Sequence, residues 1–426
     1  MFDIMTYGAV GDGVTMNTAA IQAAMDDAAK VHGTVLIPEG VFLSGTLVNR
    51  GVSLHLSSGA VLKASGDLAD YPVQPYHHNE MGDLTAFLVC LYQENITIDG
   101  YGTIDLSGHC FYDMNAWNVP EGSVPFTKEQ THECTHPITK RPGQCIFFHG
   151  CRSVTLRSIR IIDAPCWTTT FSECEDVKCL GLTIDTDLTI PNDDGIHVTA
   201  CKGVIISDCN ISSGDDCIAL SAITNWEKPC EDVVITNCIL RSCSKALVIG
   251  YMYSVVRNVL ITNCIIRESN RGLTFMAHDE CALVENVRAT NCLIDTRVRA
   301  GNWWGNGEPI LMMAVSQDKY VPVEQRPTRM TDCAIRNVHI SNVTCTGENA
   351  MGIVGVNGNI REVTLRDIDY IRKPSENIVL KGERLDLAPN DAVHTIRTDC
   401  ALYIAGGAQV ETTGLMLRGM QIVKQD

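Results

Sequence analysis

The feature that most constrains this chain is an internal repeat of about 25 residues. Each copy places a valine in a short run of alternating apolar and polar residues, as in Glu231-Asp-Val-Val-Ile-Thr-Asn-Cys. The repeated valines are Val154, Val177, Val204, Val233, Val259, Val287, Val338 and Val363, with spacings of 23, 27, 29, 26, 28, 51 and 25 residues. Alternation with polar turns predicts short strands, and no helical period competes with it. We interpret the interval of 51 as close to two repeats.

A repeat of this length built from short strands is typical of a parallel β-helix, whose coils stack at the strand spacing of ~4.8 Å. The residue five positions after each valine is Ile159, Leu182, Cys209, Cys238, Cys264, Cys292, Val343 or Ile368. A position that accepts Cys, Val, Ile or Leu predicts interior stacking, so we expect these cysteines to be buried thiols and not disulfides. The Asn or Asp just before this position favours a turn with left-handed backbone.

A length of 426 residues would by itself suggest two or three domains. Because a solenoid grows by adding coils, we instead predict a single all-β domain over 1–426. Residues 17–33 are predicted to form an N-terminal capping helix, because Ile21, Ala24, Met25 and Ala28 share one helical face. Residues 71–84 and 109–144 interrupt the rhythm with long polar stretches. We expect these two stretches to be loops that build a binding cleft on the scaffold.

Charge and composition exclude several classes of partner. The formal net charge is −17, which disfavours nucleic acid and anionic surfaces. The longest apolar stretch, near 246–256, is far shorter than the ~20 residues of a membrane span. The chain opens without a basic and then apolar leader, which predicts a cytoplasmic protein. His132 and His136 match no standard zinc spacing, and neither a metal nor another cofactor is expected; the oligomeric state stays open.

Two acidic clusters carry the chemistry that the sequence suggests: Asn192-Asp-Asp-Gly and Gly214-Asp-Asp. Asp194 and Asp215 are 21 residues apart, close to one short coil, so a β-helix places them on neighbouring rungs of one face. Like charges at this distance cost free energy unless a proton or a substrate resolves the conflict. Isolated clusters of this kind are often plain turns. Several converging carboxyls instead suit inverting glycoside hydrolysis, which needs one acid and one base.

These motifs make the sequence resemble the polygalacturonase family, glycoside hydrolase family 28. The resemblance covers most of the chain and includes Tyr7-Gly-Ala-Val-Gly-Asp-Gly and Ala164-Pro-Cys-Trp-Thr beside the two acidic clusters. It implies a right-handed parallel β-helix and a glycoside hydrolase. By the same match Asp215 is the expected general acid, and Asp194 and Asp216 are expected to hold and activate water.

The sequence departs from the family at positions that bind substrate. Lys245 stands where the resemblance implies a histidine, and Thr274-Phe275-Met276 stands where it implies Arg-Ile-Lys. The missing cations make polygalacturonate an awkward substrate for so acidic a chain. Lys245 is expected to supply one replacement charge, and Arg271 or His278 another.

Two further departures lie in the first acidic cluster. His197 occupies a position where many relatives carry an acid, and Asp193 replaces the threonine of the family motif Asn-Thr-Asp-Gly. We expect both side chains to contact substrate.

A tryptophan-rich segment, Gly301-Asn-Trp-Trp-Gly-Asn-Gly-Glu-Pro, lies between two repeats. Aromatic faces stack on sugar rings, so Trp303 and Trp304 are predicted substrate-binding residues, together with Glu308 as a partner for hydroxyls. The alternative is a loop packed over the core.

The sequence thus predicts an inverting, exo-acting glycoside hydrolase whose substrate and partner is an oligosaccharide from pectin or a related glycan. The first alternative is a β-helix polysaccharide lyase, which would need a calcium site and a basic proton acceptor. The second is a glycan-binding protein without turnover, which has no use for stacked, mutually repelling carboxylates.

Overall fold

The fold is taken from a computed structural model that describes residues 1–119, 126–301, 303–315, 327, 333–375, 377 and 399–425. Residues 120–125 of the predicted 109–144 loop, Asn302 of the tryptophan-rich segment and parts of the predicted 1–426 domain lie outside these ranges.

The described residues form a right-handed parallel β-helix with three rows of strands. Row 1 contains the repeated valines and consists of β1 (Phe2–Asp3), β3 (Thr34–Ile37), β6 (Ser53–Leu56), β11 (Glu94–Gly100), β14 (Arg152–Arg157), β17 (Glu175–Leu180), β20 (Lys202–Ser207), β23 (Cys230–Thr236), β26 (Val255–Thr262), β29 (Leu283–Thr296), β31 (Ala334–Gly347), β33 (Ile360–Arg372) and β35 (Val410–Thr413). Row 2 consists of β2 (Asp12–Met16), β4 (Gly40–Ser44), β7 (Ala60–Ala64), β12 (Thr103–Asp105), β15 (Arg160–Ile162), β18 (Thr183–Asp185), β21 (Asn210–Ser213), β24 (Ile239–Ser242) and β27 (Ile265–Ser269).

Row 3 forms a separate sheet: β5 (Leu47–Asn49), β10 (Leu88–Leu91), β13 (Ile146–His149), β16 (Thr169–Ser172), β19 (Ile196–Thr199), β22 (Ile218–Ser221), β25 (Lys245–Ile249), β28 (Arg271–Ala277), β30 (Ile310–Ala314), β32 (Met351–Val354), β34 (Leu402–Ala405) and β36 (Ile422–Gln425). Row 1 and row 2 strands alternate buried and exposed residues, whereas β13 to β32 of row 3 are buried on both faces. Other segments of the chain therefore cover the outer face of row 3, and a cleft can form between those segments and the row 3 strands.

The repeated valines lie in register from rung to rung, as the sequence predicts. Direct pairs join Val154 to Val177 and so on along row 1. The expectation for the interval of 51 residues is wrong, because Val287 pairs directly with Val338. This interval is one coil, which contains β30 and has a long connection both before and after that strand.

The cysteine position predicted to face the interior does so. Cys209, Cys238, Cys264 and Cys292 are almost fully buried and follow one another along the stack, and each thiol donates to the backbone carbonyl two residues before it. A second ladder of thiols, three residues before the valines, consists of Cys151, Cys174, Cys201 and Cys230. The sequence analysis singled out only the first of the two.

The N-terminal end of the stack is capped by helix α1 (Thr18–Ala29), which is shorter than the predicted 17–33. Its buried face consists of Ile21, Ala24, Met25 and Ala28, as expected. Asn17 precedes the helix, but its side chain bonds Val10 and Thr15 and not the first turn. The chain turns back at Gly33, whose N–H donates to the carbonyl of Ala28 at 2.8 Å.

The other helices in the described ranges are short: α2 (Lys128–Thr131) and three 3-10 turns at Ile4–Tyr7, Leu68–Asp70 and Gly108–Phe111. A hairpin formed by β8 (His77–His78) and β9 (Gly82–Asp83) projects from the predicted 71–84 loop. Within the described ranges, no helix has the length and apolar character needed to cross a bilayer.

Candidate active site

A column of charged side chains runs up the start of the row 3 strands. The register of β19, β22, β25, β28 and β30 places Asp194, Asp216, Lys245, Arg271 and Glu308 at equivalent positions on successive rungs. The signs along the column are negative, negative, positive, positive and negative. Opposite charges meet in two pairs, Asp216 with Lys245 and Arg271 with Glu308, which leaves Asp194 at one end.

The two acidic clusters meet at one end of this column. Asp194 lies two residues before β19, and Asp215 and Asp216 lie just before β22 on the next rung. The N–H of Gly195 donates to the carbonyl of Asp216 at 2.8 Å, which ties the two turns together. Both glycines of the motifs are needed for this approach. A Cβ on Gly214 would lie 2.1 Å from the carbonyl oxygen of Ile190.

Arg141 fixes the turn that carries the first acidic cluster. Its guanidinium donates to the carbonyls of Pro165 and Pro191 at 3.0 and 2.8 Å, and to Oδ1 of Asn192 at 3.0 Å. A guanidinium only donates hydrogen bonds, so the oxygen of the Asn192 amide must face Arg141. The amide nitrogen then faces Oδ2 of Asp215, to which it donates at 3.3 Å. Arg141 thereby sets the orientation of a group that contacts Asp215.

Asp193 lies behind the site and does not line it, in contrast to the substrate contact that we expected. Its Oδ1 accepts a hydrogen bond from the N–H of Asp215 at 2.8 Å, and its Oδ2 accepts one from Thr186. The side chain is fully buried, and this burial raises its pKa well above the usual range. The acid that replaces the family's threonine therefore braces the turn that presents Asp215.

A cavity of about 180 Å³ opens in front of the carboxyls. Its lining residues share a position on the outer face of row 3 or in the segments that cover it: Glu80, Trp167, Asn192, Asp194, His197, Asp215, Asp216, Ala219, Leu220, Ser221, Lys245, Val248, Tyr251, Met276 and Trp304. Pockets for drug-sized ligands hold about 300–1,000 Å³. The cavity of this chain is smaller and therefore fits a ligand smaller than a drug-sized molecule, and its aromatic walls suit a sugar ring.

Two carboxyls of the cavity, Asp194 and Asp216, retain their protons to a higher pH than ordinary carboxyls do. Burial, together with the nearby charge of Asp215, holds the pKa of Asp194 well above its ordinary value. Burial also raises the pKa of Asp216, against the opposing effect of Lys245, whose Nζ lies 3.3 Å from Oδ1 of Asp216. Asp194 and Asp216 therefore hold their protons more tightly than ordinary carboxyls, which gives the cluster groups that can act as acids.

His197 lines the cavity as a neutral ring. Its Nδ1 is 3.2 Å from Oδ2 of Asp194 but lacks hydrogen-bond geometry, while its Nε2 is bonded to Ser221 at 3.0 Å. Burial lowers the pKa of His197 to about 3, so the contact with Asp194 is not an ion pair at neutral pH. The ring packs on Trp167 with a centroid distance of 4.0 Å.

Glu80 is a site residue that the sequence analysis missed. It lies at the tip of the β8–β9 hairpin and lines the cavity opposite the row 3 carboxyls. Burial in the cleft and the charge of Asp215 raise the pKa of Glu80 to about 7, although part of the residue faces solvent at the mouth. The sequence singled out the 71–84 loop as cleft-forming, but no repeat pattern distinguishes Glu80 from Asp83 within it.

Besides Asp193, four of the predicted binding residues lie outside the cavity. Arg271 and Glu308 are almost fully buried and contact each other, Nε to Oε2, at 3.2 Å. His278 is fully buried. Trp303 is fully buried and donates from its indole N–H to the carbonyl of Glu133 at 2.6 Å. This residue therefore follows the alternative stated for its segment, a loop packed over the core. By contrast, Lys245 and Trp304 both line the cavity, with Nζ 5.8 Å from the indole ring.

Both the sequence and the fold of this chain are similar to those of known proteins. The family model of glycosyl hydrolases family 28 matches residues 28–380. A probable polygalacturonase of Arabidopsis thaliana is 29% identical over 226 residues, which are 52% of this chain and 43% of that protein. The chain therefore spans about half the length of the curated relatives it matches.

Two solved structures share the fold. The family 28 exopolygalacturonase of Yersinia enterocolitica superposes with a TM-score of 0.71 at 21% identity, covering 100% of this chain and 76% of that chain. The hyperthermoactive exopolygalacturonase of Thermotoga maritima gives a TM-score of 0.63 at 22% identity, covering 86% of each chain. At this identity the structures establish the parallel β-helix and nothing further.

Proposed function

This chain belongs to glycosyl hydrolases family 28, and we propose that it hydrolyses a glycosidic bond in an oligosaccharide derived from pectin or a related glycan. The observation that carries the proposal is the meeting of Asp194, Asp215 and Asp216 from two adjacent rungs in one cavity. Repelling carboxyls are costly to bury together. A reaction that needs an acid and a base at one bond explains why they are kept.

The proposed reaction is inverting hydrolysis. Asp215 protonates the glycosidic oxygen as the bond from this oxygen to the anomeric carbon breaks. Asp194 and Asp216 hold a water and take its proton while its oxygen bonds to the anomeric carbon from the opposite face. The contacts of Asp215 support this assignment: Asp193 accepts its N–H and Asn192 donates to its Oδ2, so the carboxyl is held in one orientation.

We further propose that the enzyme acts on a chain end. The 71–84 segment supports this reading, because its hairpin reaches across the cleft to the coil that follows β22, where Nδ2 of Asn79 donates to the carbonyl of Ile223 at 2.7 Å. The small cavity volume is also consistent with one terminal sugar unit. A polymer that passed through the site would need an open channel at both ends.

The test is the Asp215→Asn variant assayed with a panel of pectic and neutral oligosaccharides. General acid catalysis contributes about 100-fold to 10,000-fold, so we expect kcat to fall by that factor while sugar affinity stays near that of the wild type. The control is Asp232→Asn, which changes an exposed turn carboxylate of row 1. Equal turnover by wild type and Asp215→Asn contradicts the assignment, an unsaturated product indicates a lyase, and binding without turnover by the wild type indicates a glycan-binding protein.

A further inference from the structure

The cavity has an excess of acidic groups. Among its lining residues in the described ranges, Asp194, Asp215, Asp216 and Glu80 are carboxyls, and Lys245 is the one ammonium group. This ammonium already lies 3.3 Å from Asp216. A ligand carboxylate would add a negative charge to a cavity that disfavours one, as the raised pKa values of Asp194, Asp216 and Glu80 indicate.

The floor of the cavity is apolar. Ala219, Val248 and Met276 line it and belong to a buried cluster that continues through Leu311 and Met313 on the outer face of row 3. A charged group loses its hydration on such a surface and gains no hydrogen bond in return. The uncharged face of a sugar ring or its methylene groups suits this floor.

Glu80 is held rigidly at the cavity mouth. Nδ1 of His78 accepts hydrogen bonds from the N–H groups of Glu80 and Met81, each at 3.1 Å, which fixes the hairpin tip. The His78 ring packs edge-on against Trp167 with a centroid distance of 5.2 Å. Asn79 secures the same tip to the carbonyl of Ile223. The position of Glu80 is therefore set by the fold before any ligand arrives.

The Glu80 carboxyl itself is left available. It makes no hydrogen bond with any residue that the structure describes, although its neighbours on both sides are secured. Because its pKa is raised to about 7, the group can donate as well as accept hydrogen bonds near neutral pH. Sugar hydroxyls have the same dual capacity, so one carboxyl can bond two adjacent hydroxyls.

We propose that the glycosyl unit that fills this cavity is uncharged, and that Glu80 selects it by hydrogen bonds to its hydroxyls. This inference rests on the proposed function, since it concerns the same cavity. It assigns the substrate class as neutral pyranosides and excludes uronides, and it makes Glu80 the specificity-determining residue.

Binding is tested without turnover, in the Asp215→Asn variant, by calorimetric titration with neutral pyranoses and with the uronic acid that matches each one in stereochemistry. Galactose with galacturonic acid and glucose with glucuronic acid are two such pairs. We expect at least one neutral sugar to bind, and to bind at least tenfold more tightly than its uronic acid. Tighter binding of the uronic acid, or no binding by any neutral sugar of the panel, overturns the proposal.

The role of Glu80 is tested by kinetics on nitrophenyl glycosides of the same matched sugars. Glu80→Ala is expected to raise KM for the neutral substrate about tenfold and to leave kcat within about threefold. Glu80→Gln is expected to restore KM for the neutral substrate, because the amide also donates and accepts, and to lower KM for the uronide. The control is Asp83→Ala, an exposed carboxylate on the same hairpin.

The two proposals fail in different ways. Turnover of uronides in preference to neutral glycosides leaves hydrolysis standing and overturns the neutral-sugar proposal. Selective binding of a neutral sugar without turnover of any substrate supports the neutral-sugar proposal and overturns hydrolysis. An unchanged KM for the neutral substrate in Glu80→Ala removes Glu80 from the selecting role.

Discussion

At the residue scale, the site depends on two side chains that do not line the cavity, Arg141 and Asp193. Arg141 bonds two carbonyls and the amide oxygen of Asn192, and Asn192 bonds Asp215. Asp193 accepts the N–H of Asp215 from the other side. The orientation of one carboxyl is thus fixed by an arginine from the 109–144 segment and by an acid buried in its own turn.

Arg141→Lys is expected to lower kcat by up to about 100-fold with little change in KM. The lysine cannot make three directed bonds, and small misplacements of a reacting group have effects of this size. The lost bonds also cost about 1–3 kcal/mol of unfolding free energy. Steady-state kinetics on the folded fraction checks the result. The control is Arg157→Lys, a surface ion pair with Asp99, and an unchanged kcat for Arg141→Lys would show that the turn holds without it.

His78 predicts a specific dependence of stability on pH. Burial lowers the pKa of His78 to about 3 in the folded state, whereas the unfolded chain binds the proton below about pH 6.5. The contribution of a neutral His78 is therefore fully present above pH 6.5 and is lost progressively as the pH falls toward 3.

Relative to His78→Asn, the wild type should lose about 2 kcal/mol of unfolding free energy between pH 7 and pH 5. Urea unfolding of both proteins at the two pH values measures this difference. His77→Asn, which changes the exposed neighbour, should follow the wild type. Parallel pH dependence in wild type and His78→Asn would mean that His78 is accessible to protons in the folded state.

The sequence identified the carboxyls of the site but not what surrounds them. Asp194, Asp215 and Asp216 were found because two short motifs lie one coil apart. Arg271 and Glu308 have the residue types of a binding site, yet they neutralise each other within the charged column. That pairing depends on the register of β28 and β30, which cannot be derived from spacing while the length of each coil varies.

At the element scale, the strands are defined by what each position contacts on the next rung. The left-handed asparagines before the cysteine position illustrate this: Nδ2 of Asn263 donates to Oδ1 of Asn237, and Nδ2 of Asn291 donates to Oδ1 of Asn263. A polar ladder of this kind fixes the register outside the core while the thiols fix it inside.

The thiol ladders predict which cysteine reacts with solvent. Cys110 is exposed, whereas the ladder thiols are buried and burial and neighbouring thiols raise the pKa of Cys238 and Cys264 to about 12. Titration of the native protein with an aromatic disulfide reagent should show a fastest phase that disappears in Cys110→Ser and persists in Cys238→Val. Rapid reaction of several further thiols that unfolding does not accelerate would contradict the interior ladders.

The repeat predicted strands and core positions well, because period-2 alternation and interior stacking are both local in sequence. The prediction from the repeat was wrong at the interval between Val287 and Val338, where the long connections on both sides of β30 together add nearly the length of one coil. It also gave no indication that the 71–84 loop forms a hairpin, since β8 and β9 contain two residues each and a strand so short has no period to detect.

At the scale of the whole molecule, the open end of a stack of similar rungs would expose the apolar interior to water and must be covered. Helix α1 covers the N-terminal end of the stack, and its Met25 side chain is almost fully buried against the core. The cap was predictable because a helical period stands out against strand alternation on both sides.

Met25→Ala should cost about 2–5 kcal/mol of unfolding free energy, the usual range for a large buried side chain. Lys30→Ala, at the exposed end of the same helix, should change it by less than about 0.5 kcal/mol. Urea unfolding followed by circular dichroism measures both. A Met25→Ala protein as stable as the wild type would show that α1 does not seal the stack.

The central claim is that carboxyls of two adjacent rungs hydrolyse a glycosidic bond with inversion. Proton NMR of the purified protein with a mixed panel of pectic and neutral oligosaccharides tests it most directly, with Asp215→Asn alongside. We predict that the released sugar appears first as the anomer opposite to that of the substrate linkage, with the wild type only. First appearance of the retained anomer, or equal release by Asp215→Asn, would contradict the account.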